Sequence, residues 1–512
     1  MAKKIMIQGT MSNSGKSFVA AALCRILRQD GYSVAPFKSQ NMALNSYITK
    51  DGLEIGRAQA MQAEAAGIAP TVDMNPILLK PTSQMGSQVI VNGEVFGNLR
   101  AMDYYRRKTE FIPAVREAFE RLESQFDAIV LEGAGSPAEI NLRDNDIVNM
   151  GMAKIANAPV LLVGDIDRGG VFASLYGTVS LLEPEERARI KGLVINKFRG
   201  DVKILEPGLR MIEERLHIPV VGVIPMEQIN LDDEDSLSDR LVRTKAQDGL
   251  DVAVIHLPHI SNFTDFNALE HYDGVSLRYV DRPAHLGQPD LILLPGTKNT
   301  MADLKWLRES GLEAMIWRLV EEQKVPVIGI CGGYQMLGEQ LSDPHGVEGE
   351  PGSTMRGMGL LAAETIFAAE KTRTRTEGMV MAAAGVYGQV TGQSVKGYEI
   401  HMGRTVLSKG TVPLVYMEEE GEQRQDGAQS DHVYGCYMHG IFDMSETVKT
   451  FLAAVLRKKG IDPSKITVRD RNAYKEEQYD RLASIVRENL NMEAVYKIIE
   501  KGNEASCSLL SE

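Results

Sequence analysis

Two glycine-rich turns, each lying between an apolar strand and a helix, constrain the fold of this chain more than any other feature. The first turn runs from Gly9 to Ser17, and the second surrounds Cys331 in the sequence Gly-Ile-Cys-Gly-Gly. Strand–turn–helix units are the repeating parts of parallel sheets that carry helices on both faces. Because 512 residues exceed one ordinary core, the two turns predict an α/β protein with at least two domains.

The pattern of strands and helices divides the chain into parts separated by an acidic stretch. We predict a first α/β domain at 1–230, a linker at 231–249, a second α/β domain at 250–450 and a C-terminal helical segment at 451–512. The predicted strands are Lys4–Gln8, Ser33–Phe37, Ala128–Glu132, Val160–Asp165, Gly192–Asn196, Val220–Ile224, Val252–Leu257, Leu291–Leu294, Val325–Ile330, Gly357–Ala362, Thr391–Tyr398 and Val433–Met438. The clearest predicted helices are Lys16–Gln29 and Tyr474–Lys501.

Charge and cysteine content exclude several classes of protein. A net charge of −13 argues against a nucleic-acid partner held by a basic surface. The four cysteines show no paired spacing, which is typical of free thiols in a reducing compartment. No apolar run is long enough to span a bilayer, and the N-terminus enters a strand directly, so we expect no membrane segment and no secretory signal. These features together predict a cytoplasmic enzyme.

The first turn has the parts of a phosphate-binding loop. Five residues separate Gly9 from Gly15, one more than the usual spacing, and Lys16 and Ser17 follow at the start of the predicted helix. Backbone N–H groups at such a corner hold phosphate oxygens, the lysine reaches the outer phosphates, and the serine hydroxyl can bind Mg²⁺. The alternative is a structural turn that binds nothing.

Polar residues at the ends of later strands point to the same nucleotide site, because the carboxyl ends of parallel strands line one crevice. Glu132 would bind Mg²⁺ or cap the next turn, and Lys38 would lie over the transferring phosphate or be solvated. Asn196 would contact the purine edge or form an Asx turn. Another strand ends in residues that could bind metal or pair with one another: Asp165, Asp167 and Arg168.

The second turn has the form of a nucleophile elbow with Cys331 in the reactive position. The N–H of Gly332, and a second donor from the loop that contains Gly296, would stabilise an oxyanion. The alternative for Cys331 is a small buried apolar side chain. A thiol nucleophile needs a base, and the residues alone leave His439 and His401 as rival candidates.

The chain resembles the cobyric acid synthase family of glutamine-hydrolysing amidotransferases over nearly its whole length. The first domain is similar to dethiobiotin synthetase, whose phosphate loop has the same lengthened spacing, and the second to class I glutamine amidotransferases. The segments that carry the resemblance are Gly9–Ser17, Pro36–Asn45, Gly56–Gln59, Glu132–Pro137, Gly164–Gly170, Leu294–Thr300, Gly329–Gln335 and Met438–Phe442. The resemblance implies a P-loop parallel sheet followed by an amidotransferase-like α/β domain.

This resemblance also implies residue roles, with Cys331 as nucleophile and His439 as its base. Triad amidotransferases carry a glutamate two residues after the histidine, whereas this chain has Ile441 there. The group that orients His439 is therefore open, with Glu399 and Asp443 as candidates.

The implied reaction is the amidation of the b, d, e and g carboxylates of adenosylcobyrinic a,c-diamide. ATP and Mg²⁺ would serve the first domain, and L-glutamine would supply ammonia from the second. Candidate contacts for the corrinoid are Asn41, Asn45, Arg143, Asp144 and Asp146. The alternatives are a cobyrinic acid a,c-diamide synthase, or a ParA-like ATPase switch without amidation. The oligomeric state and the order of the amidations stay open.

Overall fold

A computed structural model describes residues 2–83, 86–227, 229–231, 249–272, 274–381, 385–419, 422–465 and 470–504. The chain folds into two compact units: unit 1 comprises residues 1–43, 53–232 and 474–512, and unit 2 comprises residues 44–52 and 233–473. The predicted linker, except for its first and last residues, falls outside the described residues.

Unit 1 is built on a parallel sheet of six strands. Their order across the sheet is Val220–Pro225, Ile190–Phe198, Val160–Asp165, Lys3–Gly9, Ala128–Glu132 and Val34–Phe37. Ala128–Glu132 and Val160–Asp165 are buried at every residue, as expected for strands covered on both faces. The predicted parallel α/β fold is confirmed for this part of the chain.

Helices cover the sheet of unit 1. Lys16–Gln29 buries Val19, Leu23, Ile26 and Leu27, which recur at the spacing of one helical face. The other helices of unit 1 are Arg57–Ala66, Ala101–Arg107, Ile112–Gln125, Met150–Ile155, Val171–Leu181, Pro184–Arg187, Val202–Leu216, Arg471–Asn489 and Met492–Lys501. The first three residues of Arg471–Asn489 belong to unit 2. The 3₁₀ turns of unit 1 are Val72–Met74, Lys108–Phe111, Ile140–Asn145 and Gly502–Glu504.

A second, smaller sheet of unit 1 was not predicted from the sequence. Its four strands are Gln40–Met42, Ile77–Ser83, Gly86–Val91 and Glu94–Arg100, and a further short strand is Glu54–Gly56. A buried ion pair joins Lys80, on strand Ile77–Ser83, to Glu54 on this short strand. Polar residues at interior positions of these strands hide the apolar alternation by which a sheet is usually recognised.

The predicted C-terminal segment is divided in the structure. Helix Ser445–Lys459 runs across the predicted boundary at residue 450, and residues from Tyr474 onward belong to unit 1. The helical stretch predicted at Tyr474–Lys501 is confirmed, and it consists of two helices that meet at Leu490 and Asn491. Asn491 interrupts the helical ladder: its N–H donates to Val221 O at 2.7 Å, and its side chain caps the N–H of Ala494 at 3.0 Å.

Unit 2 contains a second parallel sheet with one antiparallel edge strand. Its order is Val275–Val280, Leu250–Ile255, Leu291–Leu294, Val327–Ile330, Val433–Cys436 and Ala428–Gln429. Helices of this unit are Pro283–Leu286, Thr300–Glu309, Leu312–Gln323, Gly332–Leu337 and Ser445–Lys459, with 3₁₀ turns at Phe263–His271, Gly385–Val390 and Pro463–Lys465. Helix Leu312–Gln323 buries Leu312, Ile316, Leu319 and Val320 on one face.

A mixed sheet, in which the described strand pairs are antiparallel except that between Gln340–Asp343 and Ala363–Val380, completes unit 2. Its strands are Gln340–Asp343, Ser353–Arg356, Ala363–Val380, Ser394–Leu407, Val415–Glu419 and Glu422–Asp426, and shorter strands are Ser46–Ile48, Ile260–Ser261 and Gly296–Thr297. The predicted strand at Gly357–Ala362 is wrong, because Gly359 has φ of 70° and this segment forms a turn instead. Among the helices of the described residues, none combines the length and apolar character needed to cross a bilayer.

Candidate functional site

The turn after strand Lys3–Gly9 closes tightly in front of helix Lys16–Gln29. Gly15 lies in the left-handed region, with φ of 93°, and provides no side chain to cap the helix. A Cβ on Gly9 would lie 2.2 Å from Ser14 Oγ, so this position needs glycine. Lys16 Nζ donates to Met11 O at 2.8 Å. An uncapped helix N-terminus beside an ammonium group is an anion-binding arrangement.

Glu132 gathers three donors at the end of its strand. Its Oε1 accepts hydrogen bonds from Ser17 Oγ and Lys38 Nζ, each at 2.9 Å, and its Oε2 accepts one from Gln62 Nε2 at 2.6 Å. Burial alone would raise the pKa of Glu132, but the Lys38 ammonium and the Gln62 amide hold it below its usual value. The predicted residues Ser17, Lys38 and Glu132 thus lie together, and Gln62 is an addition that sequence reasoning missed.

Asn196 supports the phosphate loop directly. Its Nδ2 donates to Ser14 O at 2.9 Å, and the contact of Asn196 with a purine edge stays a prediction. The neighbouring residue Lys197 donates from Nζ to Asn13 O at 2.6 Å and to Asp165 Oδ2 at 2.9 Å. Asp165 thus pairs with Lys197, and Asp167 accepts from Arg199 Nε at 2.8 Å, rather than either pairing with Arg168, and metal binding at this strand end stays a prediction.

The candidate corrinoid contacts have varied surroundings. Arg143 Nη1 donates to Glu183 Oε1 at 2.7 Å. Asp146 accepts backbone N–H groups of residues 148, 149 and 151, which fixes the start of helix Met150–Ile155. Asp144 is exposed, while Asn41 and Asn45 are buried. Arg143 and Asp146 therefore have local structural partners, which explain these residue types without a ligand.

Cys331 occupies the sharp turn between strand Val327–Ile330 and helix Gly332–Leu337. Its φ of 52° and ψ of −109° are strained values for a residue that is not glycine. A Cβ on Gly333 would lie 2.1 Å from Leu294 O. The backbone of Leu294 is therefore too close for any residue other than glycine at position 333. The nucleophile-elbow geometry predicted for Cys331 is present.

Asp265 orients the histidine. His439 Nδ1 donates to Asp265 Oδ2 at 2.7 Å, and the backbone N–H of Gly440 donates to Asp265 Oδ1 at 3.1 Å. Burial would lower the pKa of His439, but the Asp265 carboxylate and the Cys331 side chain raise it to about 10. Cys331, His439 and Asp265 thus form a thiol–imidazole–carboxylate triad.

The candidates Glu399 and Asp443 do not occupy this position. Glu399 forms an ion pair with Arg424 at 2.9 Å and lies 3.4 Å from His401 Nε2. His401, the rival base, stacks on Tyr437 and has its Nδ1 2.8 Å from Gly403 O. The backbone of Tyr398 pairs with that of His439. Because successive side chains of a strand point to opposite faces, the side chain of Glu399 lies on the face opposite to that of Tyr398.

One feature of the sequence could have identified Asp265. It follows the first strand of the second domain, in the run Ser-Asn-Phe-Thr-Asp-Phe, where polar residues interrupt an apolar segment. This is the edge of a parallel sheet at which ligand-binding side chains gather. Its pairing with His439, 174 residues later, depends on the tertiary fold.

Both predicted oxyanion donors lie beside the triad. A Cβ on Gly296 would be 3.2 Å from His439 Cε1, and a Cβ on Gly332 would be 3.0 Å from the backbone N of Thr297. The two glycines thus border the same space, and their role as donors stays a prediction.

Comparisons with known proteins match both units. The profile of the CobQ/CobB/MinD/ParA nucleotide binding domain matches residues 5–238, and that of the CobB/CobQ-like glutamine amidotransferase domain matches residues 251–447. A solved structure titled as a glutamine amidotransferase covers 40% of this chain and 97% of its own, at 18% identity and a TM-score of 0.30, which supports no further conclusion.

Curated relatives match from end to end. A cobyric acid synthase of Ruminiclostridium cellulolyticum is 56% identical over 98% of this chain and 98% of its own length. The cobyric acid synthase of Lachnoclostridium phytofermentans is 55% identical over 98% of this chain and 100% of its own length. That of Alkaliphilus metalliredigens is 53% identical over 97% of this chain and 99% of its own length. The chain belongs to the cobyric acid synthase family.

Proposed function

We propose that this chain amidates the b, d, e and g carboxylates of adenosylcobyrinic a,c-diamide, using ATP and glutamine. The observation that carries the proposal is the Asp265–His439 pair behind Cys331, in a chain that also contains a phosphate loop. A thiol triad releases ammonia from an amide, and a phosphate loop positions ATP to activate a carboxylate. Amide synthesis from a carboxylate requires both.

In unit 2, Cys331 attacks the side-chain carbonyl carbon of glutamine after His439 takes up the thiol proton. The carbon–nitrogen bond then breaks, and His439 returns the proton to the departing ammonia. Water hydrolyses the resulting thioester to glutamate and restores the thiol. The N–H groups of Gly296 and Gly332 are proposed to stabilise the negative oxygen that forms in each step.

In unit 1, an oxygen of the substrate carboxylate attacks the γ-phosphorus of ATP, and the bond to ADP breaks. Ammonia then attacks the acyl carbon, the carbon–oxygen bond breaks, and phosphate leaves. We assign phosphate binding to the turn Gly9–Gly15 and to Lys16, neutralisation of the γ-phosphate to Lys38, and support of the loop to Asn196.

Mg²⁺ fits this site by the chemistry of its donors. Ser17 and Glu132 offer oxygen atoms 2.9 Å apart beside the phosphate loop. Within the described residues there is no cluster of three or more metal-ligating His, Cys, Asp or Glu side chains, and Mg²⁺ commonly keeps water and phosphate oxygens as its other ligands. When bound, Mg²⁺ would neutralise phosphate charge.

The test supplies the purified chain with ATP, glutamine labelled with ¹⁵N in its amide group, and one corrinoid at a time. With adenosylcobyrinic a,c-diamide, mass spectrometry should show labelled amides at every b, d, e and g position, together with ADP and glutamate. Amidation of cobyrinic acid at a and c only would favour an a,c-diamide synthase. ATP hydrolysis without any labelled corrinoid would favour the ATPase switch.

A further inference from the structure

A buried lysine of unit 1, Lys108, has no partner for its charge. It follows helix Ala101–Arg107, begins the turn Lys108–Phe111 and is 9% exposed. Its Nζ makes no hydrogen bond or ion pair with any residue that the structure describes, but this atom is not fully enclosed. The stem of the side chain is therefore buried, while the ammonium group reaches an opening. Because lysine is rarely buried without a partner, this arrangement calls for an explanation.

Two carboxylates of the loop 133–149, which follows strand Ala128–Glu132, act on Lys108 without touching it. Burial lowers the pKa of Lys108, and the charges of Asp146 and Glu139 oppose that effect. Neither carboxylate forms an ion pair with the lysine, and the oxygens of Asp146 accept backbone N–H groups of residues 148, 149 and 151 instead. The charged form of Lys108 is thus favoured, yet its N–H groups are left for a further acceptor.

The same loop contacts residues of the proposed ATP site. Lys16 Nζ donates to Gly135 O at 3.2 Å. Ser39, the residue after the second cation of that site, donates from Oγ to Ile147 O at 2.6 Å. Lys108 therefore borders the loop that also touches the groups assigned to the phosphates. A substrate carboxylate must come to this part of unit 1 to be phosphorylated.

Large apolar side chains are exposed on the elements next to this lysine. Met102 lies on the preceding helix, and Ile140 and Leu142 lie on the turn within the loop. The helix and the turn are in contact, because Asn145 Nδ2 donates to Tyr105 O at 3.3 Å. Exposed apolar side chains bordered by charge are typical of a ligand surface. An apolar ring with acidic arms, such as a corrinoid, has the complementary chemistry.

We propose that Lys108 binds the substrate carboxylate and holds it for attack on the γ-phosphorus of ATP. A carboxylate that approaches a triphosphate meets like charge, and an ammonium group beside it offsets the repulsion. Lysine is a compact charge with three rotatable donors, so it can receive carboxylates that arrive in different orientations, whereas the planar fork of arginine favours one. The four arms of the ring could therefore use the same group in turn. This inference rests on the proposed amidation of a corrinoid in unit 1.

The test measures amidation with ammonium chloride as the nitrogen source, so that the result does not depend on Cys331. Lys108→Met nearly retains the length of the side chain and removes its charge. It should raise the KM for adenosylcobyrinic a,c-diamide at least about tenfold, as expected for the loss of a hydrogen bond between charged groups. The KM for ATP should be unchanged. A corrinoid in which every carboxylate has been converted to an amide, added as an inhibitor, should bind the variant and the unaltered chain equally well.

Further measurements separate binding from folding. The Tm of Lys108→Met should equal or exceed that of the unaltered chain, because a buried ammonium group without a partner destabilises a fold. Lys108→Arg retains the charge, so its KM for the corrinoid should be lower than that of Lys108→Met. The matched control is Lys154→Met, which removes an exposed lysine from helix Met150–Ile155 and should leave both KM values unchanged.

Three results would overturn the inference. The first is a Lys108→Met variant with the KM values of Lys154→Met, as expected if the ammonium group is only solvated. The second is a loss of affinity for ATP or for the all-amide corrinoid as large as that for the acidic corrinoid, because Lys108 would then not recognise a carboxylate. The third is a Lys108→Met variant that is unfolded or has a lower Tm, which would indicate a structural role. If the unaltered chain forms no amide from ATP, ammonium chloride and adenosylcobyrinic a,c-diamide, the proposed function itself fails instead.

Discussion

The phosphate loop of unit 1 and the Cys331 corner of unit 2 are both sharp turns between a strand and a helix that contain a residue with positive φ, but they place different residue types there. Gly15 has φ of 93°, whereas Cys331 has φ of 52° and ψ of −109°. Such a conformation is free of strain for glycine, but it costs a residue with a side chain on the order of 1–3 kcal/mol. The phosphate loop thus presents backbone N–H groups without strain, whereas the second corner is strained because it must expose a thiol.

The electrostatic surroundings of the two sites are also opposite. In unit 1, Lys38 holds the pKa of the buried Glu132 below its usual value despite the effect of burial, and Lys16 lies beside the loop. In unit 2, a carboxylate overcomes the effect of burial and raises the pKa of a histidine. Cations suit the charged phosphates of ATP, while the imidazole–carboxylate pair suits a neutral amide, which needs a proton moved rather than a charge neutralised.

The largest expected effect separates the two sites by substitution. Cys331→Ala should lower glutamine-dependent amidation at least about 10³-fold, because the nucleophile is lost. Its amidation with ammonium chloride should be unchanged, because free ammonia replaces the product of unit 2. Assays of ADP release and corrinoid mass with each nitrogen source measure both activities.

Lys16→Ala is the reciprocal change. Removing the ammonium group from the phosphate loop should lower amidation at least about 10²-fold with glutamine and ammonia alike. A Lys16→Ala variant that still used ammonia normally, or a Cys331→Ala variant that lost ammonia-dependent activity, would contradict the division of chemistry between the two units.

Asp265→Asn should have the next largest effect, and only on glutamine. Without the carboxylate, His439 loses its orientation and the stabilisation of its charge, so kcat/KM for glutamine should fall about 10²-fold. The protonated imidazole must donate to the departing ammonia, so activity declines as pH rises through the pKa of His439. That decline should lie near pH 10 in the unaltered chain, where the pKa is about 10, and should move to lower pH in the variant.

A pH profile of glutamine hydrolysis measures this shift, with Glu399→Gln as the matched control. Glu399 is also a buried carboxylate of unit 2, but it pairs with Arg424 rather than with His439. Its replacement should leave the alkaline decline in place. If the alkaline decline moved to lower pH in Glu399→Gln but not in Asp265→Asn, Glu399 rather than Asp265 would be the residue that orients His439.

The two sites also differ in how far the sequence predicted them. The phosphate loop is local: one turn and the helix after it identify Lys16 and Ser17, and strand ends add Glu132 and Lys38. The triad depends on segments far apart in the chain, so the sequence identified Cys331 and, through resemblance, His439, but not Asp265. Gln62 was missed for the same reason, because it reaches Glu132 from a part of helix Arg57–Ala66 that lies beyond the recognised segment Gly56–Gln59.

The smallest expected effect concerns glycine in the phosphate loop. Gly15 and Gly31, at the two ends of helix Lys16–Gln29, both have φ of 93°. A Cβ on Gly15 would lie 2.0 Å from Asn196 Nδ2, whereas a Cβ on Gly31 would meet no atom within 4 Å. Gly15→Ala and Gly31→Ala should therefore share a strain of about 1–2 kcal/mol, visible as similar decreases in Tm, while only Gly15→Ala displaces Asn196.

We expect Gly15→Ala to raise the KM for ATP about tenfold, the effect of losing about 1.4 kcal/mol of binding, and Gly31→Ala to leave it unchanged. Equal increases in both variants would mean that backbone strain, rather than Asn196, controls the loop. Asn196→Ala then separates the two roles of this side chain. Because its Nδ2 donates to Ser14 O, its removal should weaken ATP and GTP equally, whereas a purine-edge contact would make the loss larger for ATP.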